Sequence, residues 1–315
     1  MTRGDAAVDY DAADRPVPLP PALLSLYGRF SCYNSPYPAH DRGCAVDLYP
    51  DSNAGLSPVP GEVVATRTVR CPSKPYAVEE DHLIVVDVAD DWAGGRGADL
   101  LARVLHVDPA VEAGDWVEAG DSLGEMVRSG FFGRWVDNHV HLGFRPREAN
   151  PYRASGSLPV APAVPVQGAR WDGTGAVVET GETFVRLDAP AHPDPGTWAS
   201  VAADDGTPLD GGLVHYTGGG AYAARAGPLS MLGTEVGTAT PRAAAVVDGA
   251  SGTDIADVAW TDVQVSVNGE RATGLSLFAS RGEFGAKVVF HEGHEFAVGD
   301  SLSVDLGHGD AVRLG

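Results

Sequence analysis

His139-Val140-His141 is the first place where residue types and spacing suggest chemistry. Side chains at i and i+2 of a strand share a face, so the two imidazoles point the same way. Two co-facial histidines on a rigid strand ligate one metal together, or one ligates while the other works on a substrate. Histidine pairs also occur on solvated strands, so this pair gains meaning only from its surroundings. Upstream, Leu101-Ala102-Arg103-Val104-Leu105 reads as a strand that ends at His106. It runs into Val111-Glu112-Ala113-Gly114-Asp115-Trp116-Val117-Glu118-Ala119-Gly120-Asp121-Ser122-Leu123-Gly124, a hairpin built on Gly-Asp turns.

This order resembles the LytM/lysostaphin-type zinc metallopeptidases, the duplicated hybrid motif or peptidoglycan endopeptidase-like fold. There a strand ends in a His, a V-x-x-G-D-x-V-x-x-G-x-x-(I/L)-G hairpin follows, then a loop, then a His-x-His strand. Pro58-Val59-Pro60-Gly61-Glu62-Val63-Val64 is similar to the family's strand after its first ligands. The resemblance spans about residues 40–146. It implies an antiparallel β domain, a bound zinc and hydrolysis of peptide bonds by a metal-activated water. By that resemblance His141 is a zinc ligand, and His106 and His139 are unligated catalytic histidines that orient the water and stabilise the oxyanion. Asp47, followed by Leu48-Tyr49-Pro50, matches the carboxylate ligand, and His40 is the candidate first ligand. Two His and one carboxylate with an open fourth position is the arrangement of a catalytic zinc.

One feature departs from the family, which places its His and Asp four residues apart on one strand face. His40 and Asp47 are seven apart, and Gly43 stands four before Asp47. A regular strand sends residues seven apart to opposite faces. Either a bulge around Asp41-Arg42-Gly43 restores the geometry, or His40 lies on a loop and reaches over. Cys44 is a weaker substitute, since thiolates favour closed structural sites.

The elements that must position these residues read as strands. Forty Gly and 23 Pro, with few helix-forming runs, point to strands and turns. Strand-like runs cover residues 44–49, 61–66, 82–88, 100–106 and 139–144, then 182–187 and 263–269. The expected fold is all-β: an antiparallel peptidase-like β domain at 29–155, then a second sandwich- or barrel-like β domain at 167–315. Residues 1–28 read as an extended Pro-rich arm with a short helix near Ala22–Tyr27, and residues 156–166 as a linker. The second domain offers no chemistry of its own. Val298-Gly299-Asp300-Ser301-Leu302 echoes Ala119-Gly120-Asp121-Ser122-Leu123, which is shared turn chemistry.

The remaining histidines have plainer readings. His82 caps a strand or faces solvent, His192 lies in a loop, and His291 and His294 flank a turn at Gly293. His215 and His308 sit among glycines and carry no signal. Asp90-Asp91 and Glu79-Glu80-Asp81 read as solvated acidic surface. Phe131-Phe132-Gly133-Arg134-Trp135, just before the His strand, either walls a substrate groove or packs in the core.

Composition bounds the partners. There are 43 acidic residues against 22 basic, for a net charge of −21, and only Lys74 and Lys287 are lysines. Such a surface resembles that of halophilic proteins, where a Debye length of about 3 Å screens self-repulsion. It argues against nucleic acid, which needs a basic patch. The N-terminus lacks the apolar core of a secretory signal and no run of 18 apolar residues occurs, so a cytoplasmic protein with no membrane partner is expected. Cys32, Cys44 and Cys71 read as free thiols. The leading reading is a zinc-dependent hydrolase acting on a peptide or a cell-wall-like polymer. The alternative is an inactive member of the same fold, serving as a binding or scaffolding module. A lipoyl-type carrier is disfavoured because the hairpin turn holds no Lys.

Overall fold

The computed structural model describes residues 16–242, 246–247, 250–251 and 253–314. They form an all-β protein whose helices are single turns. The central feature is a ten-stranded sheet. From its middle to one edge run Arg29–Ser31, Val46–Tyr49, Val140–Pro146, Leu100–Leu105, Glu80–Val88, Gly61–Arg70 and Trp116–Val117, all antiparallel. Beyond Arg29–Ser31 the sheet continues into Ala279–Ser280, Trp198–Val201 and Val166–Ala169, so it crosses from the first half of the chain into the second.

Alternation along these strands decides what each face carries. Val46, Leu48, Ile84, Val86, Ala102, Val104, Val140, Leu142 and Phe144 point inward to one core. That core is closed by a small sheet of Ala54–Leu56, Val107–Pro109 and Ser122–Met126, which contributes Val107, Leu123 and Met126. Each buried aliphatic side chain contributes about 1.5–3 kcal/mol, and a one-residue slip would turn every one of them to the opposite face. The opposite face therefore presents Asp47, Arg103, Leu105 and His141 in fixed register. Within the small sheet Gly124 has φ +140°, and a Cβ there would lie 1.9 Å from the Asp108 carbonyl oxygen. The hairpin closes only with glycine at that point.

The second unit is a twelve-stranded sheet, antiparallel throughout, that curls around its own core of Leu187, Leu209, Val236, Val258, Val265, Leu275, Val288 and Val304. The two units are fastened by Asp210, whose carboxylate accepts from Ser31 Oγ (2.5 Å), the Cys32 N–H (2.7 Å) and Tyr222 Oη (2.6 Å), all buried.

Two Pro-rich segments differ from the expectation of free tethers. The first 15 residues of the expected arm lie outside the described residues. The rest is not an arm: Val17–Leu19 is fully buried and pairs in parallel with Val160–Pro162, inside the expected linker. Apolar side chains alternate with proline in both segments, so their burial outweighs the reach of an extended chain. The short helix forms at Pro21–Leu24. Among the described residues no helix is long and apolar enough to cross a membrane.

Candidate metal centre

Strand register places the first pair. Asp47 and His141 are direct cross-strand partners, as are His141 and Leu105 on the other side. Side chains so paired stand about 5 Å apart at Cβ, within reach of one another. His141 Nδ1 lies 2.9 Å from Asp47 Oδ1.

His40 joins them from a turn of helix, not from a bulged strand. Pro38 begins the Pro38–Asp41 helix, and Gly43 at φ +53° closes it with N–H bonds from Gly43 to His40 and from Cys44 to Ala39. Proline at the first turn and glycine just past the end are the usual signals for such a turn. The extra residues between His40 and Asp47 are spent on that turn, so strand parity does not apply to the pair. His40 is 1% exposed, with Nε2 3.2 Å from His141 Nδ1 and 3.4 Å from Asp47 Oδ1.

His40, Asp47 and His141 form a group able to hold a metal ion. Their mutual separations of 3.2, 2.9 and 3.4 Å are close to the edge of a zinc tetrahedron, which is about 3.3 Å for bonds of 2.0–2.1 Å. The donor set fits zinc in kind as well: two imidazoles and a carboxylate.

The surrounding atoms fix which nitrogen faces the group. His40 Nδ1–H donates to the Cys32 carbonyl at 3.0 Å, which leaves Nε2 as the free lone pair. His139 does the same through the Asp137 carbonyl at 2.9 Å, and its Nε2 stands 3.4 Å from Asp47 Oδ1. Burial pulls His139 and His141 down to about 4, so both rings are neutral near pH 7. Burial pushes Asp47 up, but His139, His40 and His141 outweigh it and hold the carboxyl well below its usual range. For His40, burial is likewise outweighed by Asp47, which raises its pKa.

His106 completes the set, its ring centroid 5.2 Å from that of His139 and 5.7 Å from that of His141. It adopts φ +73°, a left-handed conformation unusual for a residue with a side chain. Asp81 holds it there, with Oδ1 accepting the His106 N–H at 3.1 Å and Oδ2 2.6 Å from Nδ1. Ser129 Oγ donates to the same Oδ2 at 2.6 Å. Burial raises the Asp81 pKa, and the bonds from His106, Ser129 and the His82 N–H lower it further than that. Asp81 therefore corrects the reading of Glu79-Glu80-Asp81 as solvated surface: it is fully buried.

The group opens on a cleft of ≈ 630 Å³ whose walls include Tyr37, Phe131, Phe132, Arg103, Ser155 and, from the second unit, Tyr216. Phe131 and Phe132 thus face the groove, whereas Trp135 packs with Tyr216 and Val289. His294 bonds the Gly181 and Phe184 carbonyls, and buried His215 packs against Tyr216, both away from the cluster.

Residues 18–162 match the family model described as Domain of unknown function (DUF8155) N-terminal domain, and residues 167–307 match its C-terminal domain. The chain belongs to the DUF8155 family. In this DUF8155 protein the histidine cluster lies wholly within the first match, while Tyr216 of the cleft wall lies in the second. No curated protein matches the chain. Among solved structures, the NMR solution structure of lysostaphin is similar at 13% identity, over 86% of this chain and 92% of that one, with a TM-score of 0.24. A likeness that loose carries no weight for the fold, which rests on the sheet topology above.

Proposed function

We propose that this protein is a zinc-dependent hydrolase that cleaves a peptide bond in the cleft beside His40, Asp47 and His141. The observation that carries the reading is the 3.2 Å approach of His40 Nε2 to His141 Nδ1 with Asp47 Oδ1 completing the triangle. Two buried ring nitrogens aimed at each other and at one carboxylate oxygen make a poor hydrogen-bond network and a good ligand set. The resemblance of the His106–His141 stretch to the LytM/lysostaphin-type pattern supports the same assignment.

Zinc held by His40, Asp47 and His141 would supply Lewis acidity and make hydroxide available near neutral pH. The protein's own groups handle the protons. Neutral His139, with its Nδ1–H fixed on Asp137, offers Nε2 as an acceptor. His106, with Nδ1 2.6 Å from the Asp81 carboxylate, is fixed with its ring beside His139, where it faces charge developing on the substrate. Phe131 and Phe132 beside these rings limit water access.

Metal analysis of the purified full chain, paired with turnover of a peptide library, tests the proposal. The expected result is about one zinc per chain, lost in His141→Ala, and turnover lost in His139→Ala while zinc remains. Absence of stoichiometric zinc in the wild type, or zinc content unchanged in His141→Ala, removes the metal centre. Zinc without turnover of any peptide leaves the binding or scaffolding role in its place.

A further inference from the structure

The cleft contains a buried cation with no counter-charge among the described residues. Arg103 is 8% exposed, and among the described residues its guanidinium has neither a hydrogen-bond acceptor nor an ion-pair partner; its Nε is wholly buried without one. The contrast with other arginines is sharp in a chain holding nearly twice as many acidic as basic groups. Arg29 meets Asp137, Arg147 meets Asp87 and Asp90, and Arg186 meets Glu179. The charged group that acts on Arg103 is instead Arg145, of like sign, whose own nitrogens bond the Ser155 and Arg153 carbonyls. Burial and Arg145 bring Arg103 down to about 10, which still leaves it charged at neutral pH. An uncompensated buried charge is costly and calls for a partner from outside the fold.

Register gives its place relative to the histidines. Arg103 is two residues before Leu105, the cross-strand partner of His141, and so shares its face about 7 Å along the strand. Its cross-strand partners are Val85 on one side and, on the histidine strand, Gly143, which has no side chain to cover it.

We propose that Arg103 is an anion subsite that binds a carboxylate of the ligand occupying the cleft. A guanidinium fork matches a carboxylate in two parallel N–H···O bonds, which gives direction as well as affinity. The carboxylate is either the C-terminus of a peptide or an acidic side chain, and both carry the same chemistry. Naming that ligand a substrate rests on the hydrolase reading above; the binding preference does not require turnover.

The test titrates the zinc-loaded full chain with three probes and reads binding by calorimetry. They are N-acetyl-diglycine with a free carboxylate, its C-terminal amide, and N-acetyl-glutamic acid amide. At least one carboxylate probe is expected to bind about tenfold more tightly than the neutral amide. Arg103→Gln brings the probes within about twofold of each other, and Arg103→Lys, which keeps the charge but not the fork, retains part of the preference. The two carboxylate probes tell a chain terminus from a side chain. Equal binding of all three probes, no binding of any, or a preference that survives Arg103→Gln overturns the subsite. If Arg103→Gln does not fold, a preference in Arg103→Lys as large as the wild type's overturns the fork. Zinc content is measured on every sample: normal zinc with no preference counts against Arg103 alone, while absent zinc in the wild type counts against the metal centre.

Discussion

Asp47 and His141 stand directly opposite one another on neighbouring antiparallel strands, with Oδ1 2.9 Å from Nδ1. The pairing register that buries Val46, Leu48, Val140 and Leu142 on one face delivers this carboxylate and this imidazole together on the other. The core's hydrophobic energy thus preorganises two of the three residues proposed as ligands, and only His40 must be brought in by a separate device.

Removing the shared oxygen disconnects that set. Asp47→Ala is expected to lose zinc, since Asp47 Oδ1 approaches His40, His139 and His141 alike. Melting curves with and without a chelator provide the measurement. Saturating zinc at about 100 times its Kd adds about 2.7 kcal/mol to the wild type. The variant's melting temperature is expected to ignore the chelator; a chelator shift equal to the wild type's would rule out Asp47 as a ligand.

Asp81 lies one step away from the proposed zinc ligands, against His106. Asp81→Asn is expected to keep zinc while lowering turnover about 10–100-fold, because His106 loses the carboxylate that orients it. The pH signature follows from a folded pKa lower than the unfolded value of about 3.9. The stabilisation is present above that value and is lost as pH falls through the folded pKa. Acid unfolding of Asp81→Asn should therefore lack part of the wild type's loss below about pH 4, and an identical acid limb would count against the bond.

Much of this site was legible from residue order, and what was not is local in cause. Alternation in Val140–Phe144 announces a strand, and the Gly-Asp hairpin after His106 marks the histidines worth watching. Asp81 was hidden because an acidic run in an acidic protein looks like surface, and its burial is decided by strands paired far along the chain. His40 is ambiguous in sequence because strand parity holds only where the chain stays extended, and here it turns. Pro38 and Gly43, bracketing one helical turn, were the available signal. The terminal and central Pro-rich segments read as tethers because each alone has no partner, and they become strands only by pairing with each other.

The fastening between the two units has its own pH dependence. Burial pushes the Asp210 carboxyl up to about 6, against the donors Ser31, Tyr222 and Cys32. A folded pKa above the unfolded value means that this group's favourable contribution is complete below about pH 4 and is lost as pH rises through about 6. Urea unfolding between pH 4 and 6 is expected to lose roughly 2–3 kcal/mol from this group, a slope that Asp210→Asn flattens. Asp210→Ala leaves three buried donors without an acceptor and is expected to cost at least about 1–3 kcal/mol at any pH. A wild-type slope retained in Asp210→Asn would assign it to another group.

Gly43 is the device that returns His40 to the cluster, and its substitution separates backbone cost from ligand placement. At φ +53° a Cβ would stand 2.5 Å from Arg242 Nη1 and 2.8 Å from Tyr33 Oη, so Gly43→Ala meets both a disfavoured conformation and a crowded one. Gly114 at φ +99° has nothing within 4 Å of its Cβ position, so Gly114→Ala carries the conformational cost alone, of about 1 kcal/mol or more. Both variants should be less stable, but only Gly43→Ala should weaken zinc binding in a competition against a coloured chelator. The turn that carries Gly43 also carries His40, whose Nε2 has only a few tenths of an ångström of latitude around its ligand distance. Equal zinc affinity in the two variants would show that His40 is placed by its bond to the Cys32 carbonyl and not by the turn.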